Sequence, residues 1–281
     1  MSAPDRYAVI GHPVSHSRSP FIHSRFAAQT NQDLVYTTID ASPAEFERVV
    51  REFFASGGKG LNVTVPHKEA AVQLVDELTP RARRAGAVNT LALRKEGGLL
   101  GDNTDGAGLA RDLVNNHGIS IAGRRVLLLG AGGAARGVLA PLLGLKPSQL
   151  CIVNRTVQRA LDLASAFSDM GKVSAISYED LAGNRQAWDI VINATAASLS
   201  GELPLLPASI VSSNSICYDL AYARDETPFV RWAHQRGVAR AVDGLGMLVE
   251  QAAESFYLWR GVRPDTPSVL SALTAELRGA A

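Results

Sequence analysis

The stretch Gly130-Ala-Gly-Gly-Ala-Ala-Arg-Gly137 constrains this chain more than any other. Before it runs Arg125-Val-Leu-Leu-Leu129, a short apolar run of buried-strand type. After it, Val138-Leu-Ala-Pro-Leu-Leu143 reads as a helix body. A strand, a glycine turn and a helix N-terminus together make an anion site, because free backbone N–H groups and the positive end of the helix dipole face a phosphate. Glycine lets the backbone approach a pyrophosphate closely. Ala135 stands where the third glycine of G-x-G-x-x-G would fall, a change that the fingerprint tolerates. The bland alternative is that a glycine-rich turn here is only a turn.

A second strand, Leu150-Cys-Ile-Val153, ends in Asn154-Arg-Thr156, with Arg159 one turn into the next helix. A dinucleotide fold reads the adenosine ribose at this point, roughly 20 residues after the glycines. An acidic residue there would accept from a free 2′-hydroxyl. Here no carboxylate is present, and Arg155 and Arg159 offer guanidinium forks suited to a 2′-phosphate. The pattern points to NADP rather than NAD, against the alternative that both arginines only solvate a helix start.

The rest of the chain alternates strand and helix. Tyr7-Ala-Val-Ile10, Leu34-Val-Tyr-Thr-Thr-Ile39, Gly60-Leu-Asn-Val-Thr-Val65 and Ala85-Gly-Ala-Val-Asn-Thr-Leu-Ala-Leu93 read as strands. Ser19-Pro20 opens a helix as N-cap and first helical position. Ser42-Pro-Ala-Glu45 is a capping box before the apolar face Phe46, Val49, Val50 and Phe53. Pro66-His67-Lys68 opens a further helix, and Gly101-Asp-Asn-Thr-Asp-Gly106 is a polar turn at a candidate domain boundary. From Arg125 onward, strands at Cys151, Val173, Asp189–Asn193 and Ser215–Asp219 complete a doubly wound, Rossmann-type half. Two strandless helices, Met247–Arg260 and Ser268–Arg278, follow. The fold class is α/β in two domains, one a mainly parallel sheet and one Rossmann-type.

Composition narrows the partners. At 281 residues the length prior gives about two domains. A net charge of +1 with interspersed signs offers no basic block for nucleic acid or an anionic membrane. The most apolar stretch, Val126–Leu145, is broken by glycines, Arg136 and Pro141 and is no membrane span. Cys151 and Cys217 sit in expected strands and read as core residues of a reducing, cytoplasmic protein. His12, His16 and His67 show no metal-ligand spacing, so no metal is expected.

An enzyme using a nicotinamide on an alcohol or ketone needs a group to exchange a proton with the substrate oxygen. Lys68, at the carboxyl end of a strand, is placed for this, with Asp105 as a carboxylate to orient it. The alternatives are a solvated lysine and a helix N-cap aspartate. Ser15, Ser17 and Ser19 alternate through a loop, either as caps or as hydroxyls turned to one ligand. Asn62, Thr64 and Asn89 are polar residues in apolar strands that need partners.

Nine motifs in order resemble the shikimate dehydrogenase family: Ser15–Pro20, Asn62–Lys68, Gly86–Thr90, Gly101–Gly106, Gly130–Ala134, Asn154–Thr156, Asn193–Thr195, Tyr218–Asp219 and Asp243–Ala252. The resemblance runs from about residue 6 to 275, and Asn154-Arg-Thr156 is similar to the NADP-dependent biosynthetic type. It implies reversible NADPH-dependent reduction of 3-dehydroshikimate to shikimate in chorismate and aromatic amino acid biosynthesis. It implies that Ser17 and Ser19 hold the substrate carboxylate with Tyr218 nearby, and that Asn62, Thr64, Asn89, Asp105 and Gln251 bind ring hydroxyls. Lys68 with Asp105 would transfer the proton. Gly130, Ala131, Gly132, Gly133 and Ala134 would cradle the pyrophosphate. Asn154, Arg155, Thr156 and Arg159 would take the adenosine ribose and its phosphate, and Ala194, Thr195, Gly244 and Met247 would line the nicotinamide. The implied domains are a discontinuous substrate-binding domain, 1–105 plus 243–281, and an NADP-binding domain, 106–242. Ala196-Ala197-Ser198 departs from relatives that often carry Ser or Gly-rich variants. The implied partner is a small-molecule substrate, with a monomer or homodimer, no nucleic acid and no membrane. Competing expectations are a quinate/shikimate dehydrogenase paralogue and a non-catalytic NADP-binding sensor. Retention of both Lys68 and Asp105 speaks against the sensor.

Overall fold

In the computed structural model, residues 3–183, 185–204 and 206–279 are described. The chain divides into two compact units, Met1–Gly108 with Leu248–Glu276 and Leu109–Met247 with Leu277–Ala281. The first unit carries strands β1 (Asp5–Gly11), β2 (Leu34–Asp40), β3 (Gly58–Val63), β4 (Glu77–Leu78), β5 (Thr90–Leu93) and β6 (Leu99–Asp102). Between them lie helices α1 (Ser19–Thr30), α2 (Phe46–Ala55) and α3 (Pro80–Ala85), and α4 (Asp105–Arg111) follows. The strands form one sheet in the order β2-β1-β3-β5-β6-β4. β1 pairs in parallel with β2 and β3, and β4 with β6, whereas β5 is antiparallel to both β3 and β6.

Strand β1 shows why this sheet is covered on both faces. Successive side chains on a strand point to opposite faces. Ala8 and Ile10 join a core with Phe46, Val50 and Phe53 of α2. Tyr7 and Val9 join another with Val14 and Tyr36, against which Trp259 packs.

The second unit holds β7 (Arg125–Leu129), β8 (Gln149–Val153), β9 (Val173–Ile176), β10 (Ile190–Asn193), β11 (Ile216–Asp219) and β12 (Arg240–Val242). Helices α5 (Gly133–Gly144), α6 (Val157–Ala166), α7 (Tyr178–Gly183) and α8 (Pro228–Gln235) connect them. The sheet order is β12-β11-β10-β7-β8-β9, with every pairing parallel. β7 divides two cores: Val126 and Leu128 pack with Val138, Leu139 and Leu142 of α5, and Leu127 and Leu129 with Phe229, Trp232 and Ala233 of α8. A strand buried on both faces reads as an unbroken apolar run, as Val126–Leu129 does. Two last helices, α9 (Leu245–Arg260) and α10 (Thr266–Arg278), complete the chain.

Several elements differ from the expectation. Helix α1 starts at Ser19 with Arg18 at the N-cap, so Pro20 stands one position later than expected. Ser19 is therefore inside the helix rather than its cap, and its hydroxyl accepts from the Ser17 hydroxyl at 3.2 Å. A 3₁₀ turn, Ala70–Leu74, replaces the helix expected after Lys68. The strand expected over 85–93 is only β5, since α3 runs to Ala85 and stops at Gly86 with φ 60°. Of the expected turn at 101–106, Gly101 and Asp102 belong to β6, hairpinned to β5, and Asp105 and Gly106 open α4. A π-helical turn, Asp112–Asn116, follows α4.

Candidate active site

Lys68 lies in the loop after β3, where its carbonyl accepts from the Val88 N–H at 2.8 Å. That bond stitches the lysine loop to the segment that carries Asn89. The Lys68 ammonium is bonded to Oδ2 of Asp105, with the two side chains only 14% and 6% exposed. Asp105 is the first residue of α4, where a carboxylate is favoured by the helix dipole. Its other oxygen, Oδ1, accepts from the Asn89 amide at 2.8 Å, and its N–H donates to Asn103 Oδ1 at 3.2 Å. Both carboxylate oxygens are thus held, and the lysine has one defined position.

The polar residues behind this pair are densely bonded. Asn89 donates to Thr104 Oγ1 at 2.9 Å and Gln251 Oε1 at 3.3 Å, and its Oδ1 accepts from the Thr104 N–H at 2.8 Å. Asn62 accepts from the Tyr36 hydroxyl at 2.7 Å and donates to Ser255 Oγ at 2.9 Å and Thr90 Oγ1 at 3.2 Å. An amide has two donor hydrogens and one acceptor oxygen. Asn62 and Asn89 are thus each oriented by neighbouring side chains. Thr64 is half-buried at the end of β3, its N–H donating to the Ile10 carbonyl at 2.9 Å. Ser17 and Ser19 are bonded to each other, Oγ to Oγ at 3.2 Å, at the start of α1. Gln251, on α9, donates to the Leu248 carbonyl at 2.9 Å.

Sequence reasoning missed Tyr36, Thr104 and Ser255. Ser255 is fully buried on α9 and bonds Asn62, Thr90 and Thr104 at 2.9, 2.8 and 3.2 Å. The available signal was a polar residue on an apolar helix face, which is also what a solvated position shows. Tyr218, expected near the substrate carboxylate, lies in the second unit, fully buried on β11, and donates to Asp112 Oδ2 at 2.5 Å. Burial and the neighbouring Asp112 charge push its phenol pKa well above the ordinary value. His67 is a core histidine, stacked on Phe46 at 4.3 Å with Nε2 at 2.8 Å from the Ala41 carbonyl. Among the described residues, no three His, Cys, Asp or Glu side chains are grouped to hold a metal ion. None of the described helices is long and apolar enough to cross a membrane.

The glycine turn follows β7 in the second unit. Gly130 has φ 106°, a left-handed conformation that few side chains adopt. A Cβ there would also meet the Ala194 carbonyl oxygen at 3.0 Å. Gly132 is the N-cap of α5 and Gly133 and Ala134 its first residues. Among the described residues, none beyond its chain neighbours comes within 4 Å of a Cβ built on Gly132, which leaves its backbone open to approach by a phosphate. Ala131 and Ala135 are buried in the core. At the end of β8, Asn154 donates to the Thr156 carbonyl at 3.0 Å and Thr156 is the N-cap of α6. Arg155 and Arg159 are exposed beside it. Thr195 donates to Asn193 Oδ1 through both its N–H and its hydroxyl, at 3.2 and 2.8 Å, while Ala194 and Met247 are buried. These residues fit a dinucleotide with a 2′-phosphate, so the donor set and the cradle agree.

An all-parallel sheet with an open glycine turn, together with a buried lysine–aspartate pair, defines a nicotinamide-dependent oxidoreductase built of two α/β units. Residues 9–91 match the shikimate dehydrogenase substrate binding domain, 109–233 match shikimate / quinate 5-dehydrogenase and 244–274 match the shikimate 5′-dehydrogenase C-terminal domain. A shikimate dehydrogenase (NADP(+)) from Methylococcus capsulatus is 58% identical over 280 residues, with 100% of each chain covered. The crystal structure of an Ael1 enzyme from Pseudomonas putida is similar at a TM-score of 0.87 and 49% identity, over 96% of this chain and 98% of that one. The Thermus thermophilus shikimate 5-dehydrogenase, solved with NADP(H) and shikimate, is similar at a TM-score of 0.84 and 34% identity, over 97% and 99%. The chain belongs to the shikimate dehydrogenase family.

Proposed function

We propose that this chain reduces the ring ketone of 3-dehydroshikimate to the alcohol of shikimate with NADPH, and runs the reverse oxidation with NADP. The observation that carries the reading is the buried Lys68–Asp105 pair, with Asp105 held on its far side by Asn89. When bound, NADPH supplies the hydride. Lys68 then donates a proton from Nζ to the oxygen that gains charge as the carbonyl is reduced, and in reverse it takes that proton back. Asp105 orients the ammonium and offers its carboxylate to a neighbouring ring hydroxyl. Thr64 and Gln251 bind the remaining hydroxyls, and Ser17 and Ser19 bind the substrate carboxylate. Asn62 and Asn89 support these groups from behind.

The first unit is the substrate-binding domain and the second the cofactor-binding domain. Backbone N–H groups of Gly132 to Ala134 face the pyrophosphate at the start of α5. Asn154, Arg155, Thr156 and Arg159 hold the adenosine ribose and its 2′-phosphate, and Ala194, Thr195, Gly244 and Met247 line the nicotinamide.

Replacement of the lysine tests the proton-transfer role. For Lys68→Ala, steady-state kinetics should show kcat lowered by about 10² to 10⁴ with a much smaller change in KM, because a proton donor acts chiefly in the transition state. A raised KM with kcat intact would instead make Lys68 a binding residue only.

A further inference from the structure

Asp219, the last residue of β11, is fully buried in the second unit. Its Oδ1 accepts from the Asn193 amide at 3.0 Å and the Ala221 N–H at 3.1 Å. Its Oδ2 accepts from the Ser198 and Thr227 hydroxyls, both at 2.7 Å. One carboxylate thus ties together the end of β10, the turn after it, the turn after β11 and the start of α8. Bonds to a charged acceptor are the stronger kind, and a buried carboxylate with four donors is a stiff junction.

The segments it ties are the ones that border the glycine turn. Asn193, held by Asp219, accepts from both Thr195 donors, and the Ala194–Thr195 peptide packs against Gly130. Ala221, also held by Asp219, accepts from the Gly244 N–H at 2.9 Å. A Cβ on Gly244 would lie 2.3 Å from the Leu220 carbonyl oxygen, so that contact is close. The sheet order places these turns on one side of β7, over β10, β11 and β12, whereas Arg155 follows β8 on the other side. A dinucleotide spans the switch point of such a sheet, one nucleotide to each side. With the 2′-phosphate end over β8, the nicotinamide end falls over β10 and β11.

We propose that Asp219 is a positioning residue for the nicotinamide end of the cofactor, acting through Asn193, Ser198 and Ala221 to fix the backbone around it. The inference rests on the reading of the second unit as the NADP-binding domain. It gives a role to Ser198, in the turn after β10.

The test compares binding of NADPH with binding of adenosine 2′,5′-bisphosphate, which carries only the phosphate-bearing adenosine end. Asp219→Ala should weaken NADPH by about tenfold, the loss expected for one charged hydrogen-bond junction, and leave the bisphosphate within about twofold. Asp219→Asn should regain most of the affinity, since its amide oxygen can still accept from Asn193 and Ala221 while its NH₂ donates to rotated hydroxyls. Ser198→Ala removes one donor at smaller risk to folding, and should weaken NADPH by about threefold with the bisphosphate unchanged. Equal weakening of both ligands in these variants, or unchanged NADPH binding, would overturn the role. A wild-type protein that binds neither ligand would instead overturn the reading on which the inference stands.

Discussion

His23 is 1% exposed on α1, with its ring stacked on Tyr36 at 4.2 Å and 3° and edge-on to Phe26 at 5.9 Å. Burial drives its pKa from the ordinary 6.5 down to about 3, with the Asn62 amide pulling the other way. The folded chain therefore refuses a proton that the unfolded chain accepts, and stability is lost as pH falls below 6.5. His67 is lowered too, first by burial, and acts in the same direction. Asp40, Glu45 and Asp102 have carboxyl pKa values lowered from ordinary values of 3.8 to 4.5, so their losses begin at lower pH. Between pH 6.5 and 5 the His23 slope approaches about 1.4 kcal/mol per pH unit, or about 2 kcal/mol in all. Urea denaturation at both pH values should show a smaller loss for His23→Phe than for the wild type. Equal losses would mean that His23 is charged in the fold. None of this was legible in Ser19–Thr30, because what neutralises the histidine is contact with Tyr36 and Phe256, distant in sequence.

At the scale of elements, the glycine turn and the strand before it were readable because their constraint is local. Only glycine suits φ 106° at Gly130, and a strand buried on both faces must be apolar throughout. The turn after β8 was readable for the same reason, since it has one fixed place in a doubly wound sheet. Arg155→Ala should reduce the preference for NADPH over NADH by about tenfold, the discount for one exposed charged contact with Arg159 still beside it. Binding titrations with both cofactors measure it, and an unchanged ratio would mean that the 2′-phosphate is read elsewhere. β4 escaped notice because a strand of two residues leaves no periodicity to detect, and β6 because Gly101 and Asp102 read as part of the polar turn that follows. The π-helical turn at Asp112–Asn116 carried no signal either. Its fully buried Asp112 is held by the Tyr218 hydroxyl and by the Asn116 amide at 2.7 Å, with His117 Nε2 3.5 Å away. The same nonlocal bonding hid the commitment of Asn62, whose partners come from β2, β5 and α9.

At the scale of the whole molecule, the chain leaves the first unit within α4 and returns to it within α9. Asp105 opens α4, and Gln251 and Ser255 stand on the returning part of α9. The polar set around Lys68 is thus assembled from segments on both sides of the second unit in sequence, all bonded inside the first. The residues that motif order singled out stand in these segments, whereas the side chains that bond them carried no signal, because a hydroxyl on a helix carries no mark of what it will bond. The measurement that tests the central claim most directly is reduction of NADP, and separately of NAD, by the purified protein with shikimate or quinate, followed by the absorbance of the reduced cofactor. The account predicts rapid turnover with shikimate and NADP and little with any other pair. Efficient turnover of quinate with NAD, or no turnover with any pair while NADPH still binds, would contradict it.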